Sequence, residues 1–159
     1  MAYKIPISVL VVIHTTDLRV LLIERTDRPG FWQSVTGSVD AEDEPLEVTA
    51  MREVGEETGI DARLYPLRNW NKQNQFEIFT HWSGRFAPGT THNTEHVFSL
   101  ELPAPLLVTL APKEHMQYLW LPWQEAAGKC FSWSNAAAIR ELPERICENK
   151  ALNHKASGK

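Results

Sequence analysis

Three glutamates, one arginine and a terminating glycine fall within residues 52–60, which read Arg-Glu-Val-Gly-Glu-Glu-Thr-Gly-Ile. On a helix, Glu53, Glu56 and Glu57 stand at i, i+3 and i+4 and share one face. Like charges at this spacing repel by a few tenths of a kcal/mol per pair, so helix stability alone does not favour them. A divalent cation reverses that balance, because Mg²⁺ binds oxygen ligands from a few carboxylates and from substrate phosphates. The alternative is a solvated helical face in which Arg52 pairs with Glu56 one turn further on.

The residues upstream extend this stretch into a longer pattern. Gly37 is followed after six residues by Glu44, and Glu44 is followed after seven residues by Arg52. The whole pattern resembles the Nudix box, in which a glycine, five residues, a glutamate and seven residues precede Arg-Glu-aliphatic-any-Glu-Glu-any-Gly-aliphatic. The match is complete from Glu44 to Ile60, and we interpret the additional residue after Gly37 as a loop insertion before the helix. So many fixed positions make the resemblance specific, and it implies hydrolysis of nucleoside diphosphates linked to another group.

Length, charge and cysteine content set the class of protein. The 159 residues fit one domain, which we place at residues 1–148, followed by a polar tail at 149–159 that we expect to be disordered. A net charge of −4 argues against a surface that coats nucleic acid. Cys130 and Cys147 lack metal or redox spacing, which indicates free thiols in a reducing cytoplasm. The apolar residues 5–13 are too few to span a bilayer and favour a buried strand.

Hydrophobic patterns predict an α/β protein. The box helix is expected to be capped by Asp43 or Glu44, to carry Pro45 in its first turn and to end before Gly59. Two more helices are expected after residue 121, and Pro143 is expected to break or restart the second of them. Strands are predicted at about residues 5–13, 19–25, 31–36, 60–67, 75–82, 95–102 and 117–121, of which the first two form a hairpin. The two later helices are predicted at residues 122–129 and 132–142. This order predicts a mixed sheet with helices on both faces, and the Nudix resemblance implies the same α/β/α sandwich with a metal-binding helix.

Segments outside the box narrow the resemblance to one group of Nudix enzymes. They are similar to the dihydroneopterin triphosphate pyrophosphohydrolases of bacterial folate synthesis, and the similarity runs from Tyr3 to about Ile139. It implies Mg²⁺-dependent hydrolysis to dihydroneopterin monophosphate and pyrophosphate, with Mn²⁺ as a possible substitute. The segments that carry the similarity are residues 31–37, 74–79, 85–91, 93–95 and 131–135.

The resemblance also implies roles for individual residues. Glu53 and Glu57 would bind the metal together with Glu114 from a distant loop. Glu56 would be a further ligand or the group that activates water, a role that Glu114 could also take, and Arg52 would orient a glutamate. The residues implied to bind substrate are Lys4, Arg25, Thr36, Phe76, Glu77, Ile78, Phe79 and Ser132.

Each implied substrate contact has a plainer interpretation. Lys4 and Arg25 could be surface charges at strand ends, the hydrophobic residues of segment 76–79 could belong to the core, and Ser132 could be a helix cap.

Two other function classes stay open at this stage. One is a Nudix enzyme acting on nucleoside triphosphates or dinucleoside polyphosphates, and the other is a non-catalytic Nudix-fold binding module, which the complete glutamate set disfavours. The expected partner is a small-molecule triphosphate rather than a nucleic-acid polymer or a membrane, and no residue pattern indicates an oligomeric state.

Overall fold

The computed structural model describes residues 3–157, with side chains described except at residue 81 and residues 149–157. Within that range one sheet has seven strands, and the helices are α1 (Leu46–Thr58), α2 (Trp123–Lys129) and α3 (Trp133–Ser157). Two short 3₁₀ turns lie at Ala62–Leu64 and Thr80–Arg85. The strands are β1 (Ile7–Thr15), β2 (Arg19–Arg25), β3 (Trp32–Gln33), β4 (Val35–Ser38), β5 (Leu67–Glu77), β6 (His92–Leu102) and β7 (His115–Pro122).

Strand β1 lies at the centre of the sheet, whose main path runs β3-β2-β1-β6-β5. It pairs in parallel with β6 over its full length, from Ile7 opposite Thr94 to Thr15 opposite Leu102. The predicted hairpin with β2 is present, but its register pairs only His14 with Val20. Beyond that point the two strands take separate partners, because β4 pairs with β1 and β3 pairs with β2, whereas β7 pairs with β2 along its whole length.

The continuous hydrophobic character of β1 is explained by burial on both faces. Val9, Val11 and Ile13 pack in a cluster with residues of α1, whereas Leu10 and Val12 pack in a second cluster with residues of α2 and α3. Since successive side chains of a strand point to opposite faces, a strand between two helical layers needs apolar residues at every position. The predicted mixed α/β sheet covered by helices on both faces is thereby confirmed.

Helix α1 begins differently from the prediction. Pro45 is the N-cap residue, and its side chain makes no capping hydrogen bond. Neither Asp43 nor Glu44 caps the helix, because Glu44 is held by Arg52 and by the Thr49 hydroxyl instead. The C-terminal end is as predicted: Gly59 adopts φ 74° and its N–H donates to the Gly55 carbonyl.

Three of the predicted strands have other bounds in the structure. Residues 60–67 do not form a strand, because Asp61 accepts a hydrogen bond from the Arg63 N–H and closes a 3₁₀ turn. Strand β5 ends at Glu77, and residues 80–85 form the second 3₁₀ turn. The segment 31–36 is divided at Ser34, whose N–H donates to Asn135 Oδ1 at 2.7 Å rather than to a neighbouring strand.

Pro143 does not end α3, which continues to Ser157. Buried Leu142 and Ile146 anchor the helix on both sides of the proline, so packing compensates for the backbone hydrogen bond that proline removes. The division into a domain at 1–148 and a disordered tail at 149–159 stays a prediction. No helix within residues 3–157 has the length and apolarity required to cross a membrane.

The end of α1 gives a stability test. Gly59→Ala should lower the free energy of unfolding by about 1–2 kcal/mol, because a side chain is strained in the left-handed region. Its Cβ would also lie 3.2 Å from Thr109 Cβ. Gly55→Ala is the control: it lies in the helix interior, where the new Cβ meets nothing closer than the Ile60 oxygen at 4.0 Å. It should be stabilising by up to about 1 kcal/mol. Equal stability of both variants in urea denaturation would contradict this account.

Candidate active site

The Arg52 guanidinium connects α1 to the loop before it. Its Nε and Nη2 donate to the two Glu44 oxygens at 3.3 and 3.0 Å, and Nη2 also donates to the Ser38 carbonyl at 3.1 Å. These bonds, with one from Thr49, lower the pKa of Glu44 to about 2. Glu44 is therefore a fixed anion that holds Arg52. Because Glu44 is the glutamate that follows the additional loop residue after Gly37, holding Arg52 is the role of that position of the box.

Arg52 in turn holds Glu53. Its Nη1 donates to Glu53 Oε1 at 2.9 Å, and the Glu53 carboxyl lies directly over Gly37 of β4, where any Cβ would collide with it. Burial raises the pKa of Glu53 to about 7, reinforced by the neighbouring Glu56 and opposed by Arg52. The glycine that begins the box is thus required because a carboxylate occupies the space of its missing side chain.

A second cluster lies beside Glu53 and comprises Glu57, Glu114 and His115. One ligand atom from each lies within 4.8 Å of the others. Glu57 is 3% exposed and its Oε2 has no hydrogen-bond partner among the described residues. Burial raises the pKa of Glu57 well above its ordinary value, and the negative charges of Glu53 and Glu114 add to the rise.

Glu114 reaches this cluster because its loop is attached to β2. The Thr26 N–H donates to the Glu114 carbonyl at 2.9 Å, and the pairing of β2 with β7 shifts register between Glu24 and Arg25 so that Arg25 lies opposite His115. The structure therefore brings Glu57 and the sequence-distant Glu114 together as predicted. Glu56 is not part of the cluster: its side chain is 56% exposed and lies 3.5 Å from Arg52 Nη1.

Sequence reasoning missed His115. Its imidazole is 3% exposed, with Nε2 at 3.7 Å from Glu57 Oε1 and 3.4 Å from Gln33 Nε2. Burial lowers the pKa of His115 to about 4, with help from the positive charge of Arg25. A neutral imidazole is a potential metal ligand. Only its position beside Glu114 signals it in the sequence.

These carboxylates fit a divalent cation. An orphaned oxygen on buried Glu57 and mutually raised pKa values in Glu53 and Glu57 both indicate a missing positive charge. Oxygen donors are the ligands that Mg²⁺ prefers, and a cation would favour the ionised form of every carboxyl in the group.

A cavity of about 360 Å³ adjoins the carboxylates. Its aromatic wall includes Phe79, which packs edge-on against Trp82 at 5.4 Å between ring centroids, and Phe131. Phe31 is not one of the lining residues, but its ring stacks on that of Phe131 at 4.6 Å. All eight residues predicted to bind substrate line this cavity: Lys4, Arg25, Thr36, Phe76, Glu77, Ile78, Phe79 and Ser132. Their contact with substrate stays a prediction.

The two basic side chains predicted to bind substrate, those of Lys4 and Arg25, lie where the cavity meets the carboxylates. Arg25 donates to Asp27 through Nε at 2.8 Å and lies with Cζ 4.5 Å from the centroid of the Trp82 ring. Burial lowers the pKa of Lys4, as do the positive charges of Arg85 and Arg25, whereas Glu53 raises it. The cavity thus has an aromatic wall and a boundary of positive charge next to Glu53, Glu57 and Glu114, which we call the acidic group. This combination suits a flat ring attached to phosphates.

Strand β6 contributes further cavity residues that were not predicted individually. Asn93 and Glu95 are buried and line the cavity. At i and i+2 they share one face of a strand whose following residues are mostly apolar. Two polar residues at this spacing, just before a buried apolar strand, are the sequence signal that could have identified them.

Comparison with known proteins agrees with this geometry. The NUDIX domain profile matches residues 4–142. The dihydroneopterin triphosphate diphosphatase of Escherichia coli strain K12 is 47% identical over 143 residues, which are 88% of this chain and 93% of the relative. The Haemophilus influenzae protein of the same name is 40% identical over 144 residues, 89% of each chain. The solved structure of the E. coli dihydroneopterin triphosphate pyrophosphohydrolase has a TM-score of 0.82 and 46% identity, covering 89% of this chain and 97% of that one.

The contact between Glu53 and Gly37 gives a test of the acidic group. Gly37→Ala should displace the Glu53 carboxyl and weaken Mn²⁺ binding, measured by electron paramagnetic resonance, by roughly 10–100-fold. Gly84→Ala is the control, because a Cβ at Gly84 meets no atom within 4 Å. Unchanged Mn²⁺ affinity in the Gly37 variant would show that Glu53 does not bind the metal.

The raised pKa of Glu53 gives a pH-dependent test. The carboxyl shifts from 4.5 to about 7 on folding, so the stability it contributes is complete below pH 4.5 and is lost as the pH rises through 7. In EDTA, Glu53→Gln should therefore gain free energy of unfolding relative to the wild type between about pH 5 and about pH 8. Saturating Mg²⁺ should cancel the gain, and Glu125→Gln, an exposed change on α2, should show none. If urea denaturation shows that the free energies of unfolding of Glu53→Gln and the wild type differ by the same amount at every pH, the raised pKa of Glu53 is refuted.

Proposed function

The chain belongs to the Nudix family of hydrolases, and we propose that it hydrolyses dihydroneopterin triphosphate to dihydroneopterin monophosphate and pyrophosphate. The reaction would take place in the cytoplasm as a step of folate biosynthesis. This proposal names the substrate of two relatives that share 47% and 40% of their aligned residues with the chain.

The observation that carries the proposal is the composition of one cavity. All eight residues taken from the resemblance to pterin triphosphate hydrolases line it, although they come from segments as distant as Lys4 and Ser132. Aromatic side chains such as Phe76 and Phe131 offer faces for a bicyclic ring. Lys4 and Arg25 offer positive charge to the attached phosphates.

The acidic group supplies the hydrolytic chemistry. We assign Glu53, Glu57 and Glu114 as the residues that would hold Mg²⁺, with His115 adjoining them, and Mn²⁺ as a possible substitute. When bound, such a cation neutralises phosphate charge and lowers the pKa of a coordinated water. Arg52 is a positioning residue that fixes Glu53 through the 2.9 Å contact.

Proton transfer is assigned to Glu56. Its carboxylate is more than half exposed and lies on the face of α1 that carries Glu53. A general base is typically worth about 10²–10⁴-fold in rate. Glu114 is the second candidate, because it adjoins Glu57 and is itself exposed.

A side-by-side substrate comparison tests the proposal. We expect kcat/KM for dihydroneopterin triphosphate to exceed the values for dATP, an oxidised dGTP and a diadenosine polyphosphate, with pyrophosphate as the released product. Glu57→Gln, assayed in parallel, should be slower by about two orders of magnitude or more, because it removes a buried carboxylate from the acidic group.

Each outcome has a definite meaning. A preference for one of the other three substrates, or release of orthophosphate, would overturn the folate assignment while leaving a Nudix hydrolase. Full activity of Glu57→Gln, or of the wild type in excess EDTA, would overturn the metal-dependent chemistry. Absence of turnover with every substrate would favour the non-catalytic binding module.

A further inference from the structure

Glu95 is a buried carboxyl at a position where the fold gives no reason for one. It lies on β6 between Ser8 of β1 and Asn74 of β5, and it is 5% exposed. Glutamate is almost never buried without a partner, because removing a carboxylate from water costs several kcal/mol. Strand β6 continues with apolar core residues, so stability alone would favour an apolar residue here as well.

The hydrogen-bonding capacity of Glu95 is incompletely used within the protein. Among the described residues, Oε1 has no hydrogen-bond partner, and none of the ion pairs involves Glu95. Burial raises the pKa of Glu95, and hydrogen bonds from Ser134 and Asn74 only partly offset the rise. A carboxylate in this position gains stability from any additional donor that enters the cavity.

The carboxyl faces the same cavity as the aromatic wall. Glu95 lines it together with Phe76 and Phe131. Asn93, on the same face of β6, donates its Nδ2 to Ser8 Oγ at 2.7 Å and leaves Oδ1 without a partner among the described residues. The buried strand therefore presents hydrogen-bond acceptors to the cavity that the aromatic side chains line.

We propose that Glu95 determines ring specificity by accepting two hydrogen bonds from adjacent N–H groups on the edge of a 2-amino-4-oxopyrimidine ring. This inference rests on the proposed function, since pterins contain that ring. Its ring N–H and exocyclic amino group are two adjacent donors, the pattern that a carboxylate binds through both oxygens. Guanine has the same edge, whereas adenine presents one donor and one acceptor. The carboxylate thus selects pterin and guanine over adenine.

Glu95→Gln tests the assignment, because glutamine has the same shape but presents one acceptor and one donor. The ratio of kcat/KM for dihydroneopterin triphosphate to that for dATP should fall by roughly tenfold or more, given the worth of a hydrogen bond to a charged group. The matched control is Glu101→Gln, a partly buried glutamate on β6 that does not line the cavity. Its ratio should equal that of the wild type.

A second measurement needs no variant. The wild-type protein should turn over dGTP with a kcat/KM roughly tenfold or more above that for dITP, which lacks only the exocyclic amino group. If Glu95→Gln is insoluble, this comparison of dGTP with dITP tests whether Glu95 binds the ring edge.

An incorrect role for Glu95 and an incorrect substrate would give different experimental results. If the wild type prefers dihydroneopterin triphosphate but the Glu95→Gln ratio is unchanged, the Glu95 assignment is overturned and the proposed function stands. If the wild type prefers another substrate while the ratio falls in Glu95→Gln, the proposed function is overturned and Glu95 still reads the ring edge. If the variant is insoluble, equal rates with dGTP and dITP overturn the Glu95 assignment.

Discussion

The site depends on the hydrogen bonds that the Arg52 guanidinium donates. The guanidinium joins a loop carboxylate, a strand-end carbonyl and a helix carboxylate, through Glu44, Ser38 and Glu53. The Ser38 contact joins α1 to β4, the Glu44 contact joins α1 to the loop before it, and the Glu53 contact holds a carboxyl that approaches Gly37 closely. A planar group with five donors suits this arrangement, which a lysine at the same position would not reproduce. Loss of one member of such a partly buried network leaves an uncompensated charge, so the network holds as a unit.

Glutamates of the same short stretch acquire opposite properties from their surroundings. Arg52 lowers the pKa of Glu44 to about 2, whereas burial and neighbouring carboxylates raise the pKa of Glu53 to about 7 and that of Glu57 well above its ordinary value. Glu44 is therefore a structural anion, and Glu57 is a group whose charge is unfavourable until a cation is nearby. Perturbed carboxyls that serve no structural partner are typical of functional sites. The repulsion within the acidic group is a local loss of stability that the packed core of β1 and α1 can sustain.

The sequence predicts those features that local patterns determine. The carboxylates repeat with helical spacing, β1 is apolar throughout, and Gly59 must end α1, so each was predictable from neighbouring residues. Features decided by tertiary contacts were not. The partner of Glu44 is eight residues away and replaces its expected capping role, and α3 continues through Pro143 because Ile146 is anchored in the core. His115 lies 3.7 Å from Glu57 at the start of β7, where the pairing of β7 with β2 shifts register, and no sequence period reveals that shift.

Under the proposed assignments, the chain divides chemistry and recognition between different elements. The acidic group belongs mainly to α1, with Gly37 of β4 beneath it, whereas the ring end of the cavity is built by β5, β6 and the start of α3. Glu95 of β6 accepts hydrogen bonds from Ser134 of α3 and Asn74 of β5 rather than from α1, so a substitution at Glu95 need not disturb the carboxylates. Lys4 and Arg25 lie at the boundary and suit any attached phosphate. If the proposed assignments hold, this separation explains physically how one box can accompany many substrates, since the box residues serve the phosphates and a few strand residues select the ring.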